Sequence, residues 1–225
     1  MKIDDKKLLA KRLLVYFVGL YLVGFSNAIS KLTPLGLAPN SSLPNVISLI
    51  FNANLGVISA ITFSCYVFIQ WLILGKSFKK INFLQVPVSF VYGYFFDHAM
   101  KVVAGILPVP TSHTLQIVYT IISAFSLGFS IKIYLTPSII SLPPEGLCGS
   151  VSQRFNISFP NAKNICDILV VLTSIILSLV FFKGLNGVRE GTIIHAVLVG
   201  RAVKLADKLF GKSLYKLVWG TDRSE

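Results

Sequence analysis

The stretches without an ionisable side chain decide what this chain can fold into. Segments 13–30, 32–75 and 102–131 contain no Asp, Glu, Lys or Arg, and 81–96 is equally free of them until Asp97 interrupts an apolar run that continues to Leu107. An ionised group in hydrocarbon costs several kcal/mol, so its absence over ~18 residues permits a membrane crossing. Of 225 residues, 54% are apolar and only 13% are charged. A soluble domain carries nearer a quarter of charged residues, so the composition indicates a membrane protein. The pattern predicts an all-α polytopic protein with crossings near 13–31, 54–75, 82–106, 113–135, 164–183 and 190–209. Six crossings leave no room for a separate catalytic domain. The first crossing is expected to stay in the mature chain, because 27–30 is a poor signal-peptide cleavage site.

The net charge of +12 would suggest nucleic acid in a soluble protein. Here it reads as basic ends and loops facing anionic lipid, and no nucleic acid is expected as a partner. Lys2, Lys6, Lys7, Lys11 and Arg12 precede the first crossing, Lys76, Lys79 and Lys80 follow the second, and Lys212, Lys216 and Arg223 follow the sixth. All fall on one side of a six-crossing chain, which predicts cytoplasmic N- and C-termini. The expected segments are a basic N-terminus at 1–12, a first repeat at 13–107, a second repeat at 113–210 and a cytoplasmic tail at 211–225.

Internal similarity supplies the two repeats. Leu32-Thr33-Pro34 ends the first crossing and Leu135-Thr136-Pro137 ends the fourth. Each is followed by an apolar segment rich in breaks, with Gly36, Pro39 and Pro44 in one half and Pro143, Pro144 and Gly146 in the other. Gly93 and Gly200 then occupy matching points of the third crossing in each half, and Gly191 opens the last one. An odd number of crossings per half inverts the second half. In inverted-repeat transporters the binding site lies near the midplane, where interrupted helices meet. The segments 36–51 and 139–154 are therefore expected to re-enter the membrane or to lie as amphipathic helices at its surface.

The residues Leu35-Gly36-Leu37-Ala38-Pro39, Pro144-Glu145-Gly146, Lys163 with Asp167, and Arg189-Glu190-Gly191-Thr192 followed by Val199-Gly200 give the chain, from about Arg12 to Phe210, a pattern that resembles the YczE/YitT-like bacterial integral membrane proteins. The resemblance implies a multi-pass protein of the bacterial cytoplasmic membrane with two related halves and a transport role without a settled substrate. Arg201 departs from the Pro often found there. The soluble C-terminal domain of the YitT branch does not follow, so regulation through it is not expected.

Ionisable residues within the apolar regions are the candidate site. Glu145, between a Pro pair and Gly146, is the first choice for substrate or proton coupling. Glu190 and Arg189 open the last crossing and, as helix neighbours, are expected to pair with other elements instead of each other. Asp97 and Lys101, four apart, can neutralise each other. Lys132 can snorkel to the headgroups, and Asp167 can be a first-turn carboxylate. Asn40, Ser41 and Ser42 are expected to face the acidic segment, with Tyr92, Tyr94 and Phe96 as aromatic walls. That inventory favours a small polar or cationic solute. Cys65, Cys148 and Cys166 have no metal-ligand spacing and read as small buried thiols, and His98, His113 and His195 form no catalytic pattern. No metal, cofactor or enzymatic activity is expected. The sequence thus predicts a small-solute transporter. A substrate-capturing subunit of a larger importer and a non-transporting membrane scaffold are the alternatives, with oligomeric state open.

Overall fold

A computed structural model describes residues 3–220, with side chains from 6 onward; Lys2 and Arg223, counted above among the cytoplasmic charges, lie outside the described residues. The described residues form helices α1 (Ile3–Lys31), α2 (Pro39–Ile50), α3 (Leu55–Leu74), α4 (Gln85–Ile106), α5 (His113–Leu135), α6 (Pro143–Phe155), α7 (Phe159–Phe182), α8 (Glu190–Ala206) and α9 (Lys212–Trp219). A π-turn at Asp207–Gly211 joins α8 to α9. Among these residues there is no strand, only an isolated antiparallel bridge between Gly36 and Val188.

The all-α class is as expected. Four segments are long and apolar enough to cross a membrane, namely Lys6–Lys31, Leu55–Ser77, His113–Leu135 and Phe159–Phe182. The regions expected to cross at 82–106 and 190–209 are helical as α4 and α8, but they do not join that set. α4 carries Asp97 and Lys101 within 22 residues, and α8 is only 17 residues long.

Between α1 and α3, and again between α5 and α7, lies a helix too short to span. α2 has 12 residues and α6 has 13, or roughly 18–20 Å against a hydrocarbon core of about 30 Å. Each starts on proline, where the missing N–H costs nothing. Several residues anticipated as breaks are therefore starts or interior positions. Pro39, Pro143 and Pro144 begin helices, while Pro44, Gly146, Gly191 and Gly200 sit inside them. Only Gly36, at φ +94°, turns the chain in the left-handed region. Seven α2 residues are buried, including Ser41, Ser42 and Asn45, which is not the pattern of a surface-lying helix.

Packing crosses between the two sets of helices. α1 packs on α4 and on α5, and α5 packs on α8. The short helices are exchanged: α2 lies mainly on α7, and α6 mainly on α3. Small residues permit the closest approaches. A side chain at Gly24 would meet the backbone of Phe96 at 3.1 Å, and one at Gly128 would meet Ala202 at 2.4 Å, so α1–α4 and α5–α8 touch almost backbone to backbone. α3 and α4 are tighter still. A Cβ on Gly56 would lie 2.2 Å from the Gly93 carbonyl oxygen, and the Gly56 N–H donates to Asp97 Oδ1 at 2.9 Å. α7 and α8, by contrast, barely touch.

The C-terminal segment closes one end of this arrangement. Arg12 of α1 donates to the Pro137 carbonyl at 2.8 Å and lies 4.0 Å over the Trp219 ring, whose indole N–H donates to the Thr136 carbonyl at 3.2 Å. Lys132, expected to snorkel, instead forms an ion pair with Asp207 of the π-turn.

Candidate functional site: a cavity shared by the two short helices

Glu145 is in the first turn of α6, where the unpaired N–H groups of a helix start favour a carboxylate. Its Oε2 is buried and makes no hydrogen bond of good geometry, although the Tyr134 hydroxyl faces Glu145 closely enough to interact with it; the buried hydroxyls of Tyr16 and Tyr134 likewise make no hydrogen bond of good geometry. The Tyr16 and Tyr134 rings are 6.3 Å apart. Each such orphan costs about 1–3 kcal/mol, so the cluster is built for water or a polar ligand.

Glu145 borders a partly open cavity of about 890 Å³, while Tyr16 and Tyr134 lie outside its lining. Asn40 of α2 and Glu145 of α6 both line it, so both short helices contribute to one cavity. Ser41 and Ser42 are close by but outside the lining. Ser42 donates to the Pro39 carbonyl at 2.7 Å and contacts Ser174 Oγ of α7 at 3.0 Å, while Ser41 is buried beside Asn40. The Ser42 hydroxyl thus joins α2 to α7, while that of Ser41 donates to Asn40 within α2. The cavity's other walls come from α5, α7 and α8.

Several expected roles change. Asp167 is not in a first turn, because α7 starts at Phe159, two turns before it. It pairs with Lys163, whose ammonium donates to both carboxylate oxygens at 2.9 and 3.2 Å. The missed signal was Ser158 followed by Pro160, a helix-start pattern. Asp97 does not pair with Lys101: its carboxylate is taken by the Gly56 amide. Arg189 and Glu190 do pair with each other, through two contacts of 3.2 Å. The helix rule failed because Arg189 precedes the helix in extended conformation, with φ −151° and ψ −161°, which turns its guanidinium back over Glu190. Tyr92 and Phe96 are core residues and Tyr94 is exposed; none lines the cavity. Cys148 and Cys166 are buried, but Cys65 is exposed.

His195 borders the cavity without an obvious sequence signal. It is fully buried, with Nδ1 2.9 Å from the Gly191 carbonyl and Nε2 3.0 Å from Ser123 Oγ. The carbonyl can only accept, which makes Nδ1 a donor, while the single Ser123 hydroxyl proton is shared between the Thr120 carbonyl at 2.8 Å and Nε2. The imidazole is thus a clamp between α5 and α8. Lys163, Arg201 and Lys204 also line the cavity, beside Glu145 and Asp167. The expectation of a cationic solute did not include these three basic groups. Among the described residues no group of His, Cys, Asp or Glu is arranged to hold a metal.

Residues 10–208 match the model of a family described as a family of unknown function, DUF6198. The chain belongs to DUF6198. It is also 24% identical over 194 residues to an uncharacterized protein of Haemophilus influenzae, covering 86% of this chain and 82% of that one. No solved structure matches. The YczE/YitT-like name is carried by neither comparison. The DUF6198 match takes in Glu145, both short helices and the start of α8, and it stops before α9.

A second cavity of about 440 Å³ lies at the other short helix. The Lys31 ammonium donates to Asn45 Oδ1 at 2.6 Å, and Asn45 donates to the Gly187 carbonyl at 2.9 Å. The Gly191 N–H donates to the Leu35 carbonyl at 2.8 Å. These bonds tie the end of α1 to the middle of α2, and the middle of α2 and the turn before it to the start of α8 and the turn before that.

Proposed function

We propose that this protein is a small-solute transporter of the bacterial cytoplasmic membrane, built from two inverted halves. In this reading α1, α3 and α4 cross in the first half and α5, α7 and α8 in the second, with both termini cytoplasmic. α4 is about 33 Å long, and α8 with its π-turn extension is about the same. The cross-packing supports the reading, because the α1–α4 glycine contact at Gly24 recurs between α5 and α8 at Gly128. So does the exchange of short helices, each held by the long helix of the other half. Movement of one half against the other would then reshape a site to which both contribute.

The observation that carries the proposal is Glu145. A buried carboxylate oxygen without a well-formed hydrogen bond, in a cavity shared by two half-length helices, is costly for a mere anchor and useful for binding a solute or a proton. The test is a thermal-shift screen of purified protein against small metabolites and cations, repeated with Glu145→Gln, followed by uptake of the hits into proteoliposomes. Stabilisation and uptake are expected to disappear in Glu145→Gln while the ligand-free melting temperature is retained. Normal uptake by that variant removes Glu145 from the mechanism. A cysteine at position 149, which lines the cavity with open space around it, should react with an impermeant maleimide. Failure to react from either side of the membrane would refute the solvated cavity.

A further inference from the structure

The two halves differ in one place that bears on the substrate. In the first, α3 and α4 are zipped shut at Gly56 and Gly93, and the Asp97 carboxylate locks them through the Gly56 amide. In the second, the corresponding helices α7 and α8 stand apart, and Gly200, at the position matching Gly93, has nothing within 4 Å of where a side chain would begin. Both helices line the cavity, α7 through residues between Phe159 and Asp167 and α8 through residues between His195 and Lys204, so the space between them offers a route in the plane of the helices. Its two flanks are apolar and outward-facing, with Ile168 and Leu169 on α7 and Ile193 and Val197 on α8 all about half exposed or more. Within a bilayer such a route faces acyl chains instead of water.

The lining matches that position. Leu127, Ile131, Val199 and Val203 provide an apolar wall. Arg201 and Lys204 are exposed, three residues apart on α8, and so share one side of the helix. Lys163 is already neutralised by Asp167, which leaves Arg201 and Lys204 as the basic groups able to receive an incoming anion. We infer that the cavity takes a single-chain amphiphile with an anionic headgroup, which enters from the membrane between α7 and α8. The chain lies on the α5–α8 wall, the headgroup meets Arg201 and Lys204, and the Glu145 carboxyl meets a protonated or hydroxyl group on the same ligand. The inference rests on the cavity of the proposed transporter and names its substrate class.

The experiment uses the purified protein in nanodiscs of zwitterionic lipid, titrated with a dansyl-labelled undecanoic acid. Saturable binding is expected, with displacement by unlabelled fatty acid and not by acetate or by an alkyltrimethylammonium of equal chain length. Arg201→Ala/Lys204→Ala should weaken binding by at least about tenfold, because charge-assisted contacts are lost. Arg201→Lys should retain most of it. Gly200→Leu, which projects a side chain into the open gap, should block binding while leaving the melting temperature of the ligand-free protein near that of the parent. Equal competition by the cationic amphiphile, wild-type affinity in the double variant, or no saturable binding would overturn the inference. If a water-soluble hit from the screen is transported while the fatty acid fails to bind, the amphiphile falls and the transporter stands. If the fatty acid binds as described while nothing is transported, the reverse holds.

Discussion

Gly93 of α4 and Gly200 of α8, paired in the proposed repeat, face opposite consequences of the same substitution. A methyl group at Gly93 would be placed 2.4 Å from the Gly56 carbonyl oxygen, a backbone atom that can retreat only if α3 and α4 separate. Forced overpacking of this kind costs about 1–3 kcal/mol. Separation also stretches the Gly56 N–H to Asp97 bond, and a hydrogen bond to a charged group is worth about 1.5–3 kcal/mol. Against this, alanine gains about 0.5–1 kcal/mol over glycine inside a helix. The net expectation for Gly93→Ala is a loss of at least about 1.5 kcal/mol, or a melting temperature lower by at least about 3 °C for a chain of this size. Gly200→Ala meets nothing within 4 Å and should be neutral or gain the helix term. The assay is thermal unfolding of both purified variants in one detergent, followed by intrinsic fluorescence. Equal melting temperatures, or a larger loss at Gly200, would refute the account of a closed α3–α4 seam and an open α7–α8 gap.

Two further substitutions probe how the short helix α6 is held. Gln70 and Gln85 are buried and donate to each other, and Gln70 also donates to the Pro143 carbonyl. Gln70→Leu strands those partners and should cost at least about 2 kcal/mol, whereas Gln70→Leu/Gln85→Leu should cost less than the sum of the single changes; additive losses in denaturation would show that the amides act independently. At the other end, Trp219→Ala removes the surface under Arg12 and the bond to Thr136, a loss of about 0.5–2 kcal/mol for the cation–π contact alone. Hydrogen exchange at residues 212–219 should quicken, and unchanged protection would mean that α9 is held by other contacts.

The long helices were legible because hydrocarbon excludes charge: α3 lies inside an uncharged interval and α1 and α5 largely overlap one, whereas α7 carries Lys163 and Asp167 in its first half and is uncharged from Ile168 onward. The short helices were legible as positions but not as shapes. Proline announced a discontinuity, and only the backbone shows that Pro39 and Pro143 begin helices while Pro44 is carried inside one. That Asn40 and Glu145 border one cavity was within reach of the repeat pattern. Glu145 lacking a well-formed hydrogen bond, and Lys163, Arg201 and Lys204 joining it, depended on how α7 and α8 are spaced. A glycine in a helix is equally consistent with a tight seam and with open space, so Gly93 and Gly200 gave no hint of their difference. The Arg189–Glu190 pair was misjudged for a related reason: a sequence rule for helix faces was applied one residue before the helix starts.

The exchange of short helices also sets a timetable for synthesis. Ser42 meets Ser174 across 132 residues, and Asn45 meets Gly187 across 142. At about 5–20 residues per second, α2 waits on the order of 7–30 s for the helix that receives it. Until then its Ser and Asn side chains lie beside an unfinished wall. A nascent chain of this kind needs shelter at the insertion site until α7 arrives, and the first half released alone would expose the face that its counterpart is shaped to cover.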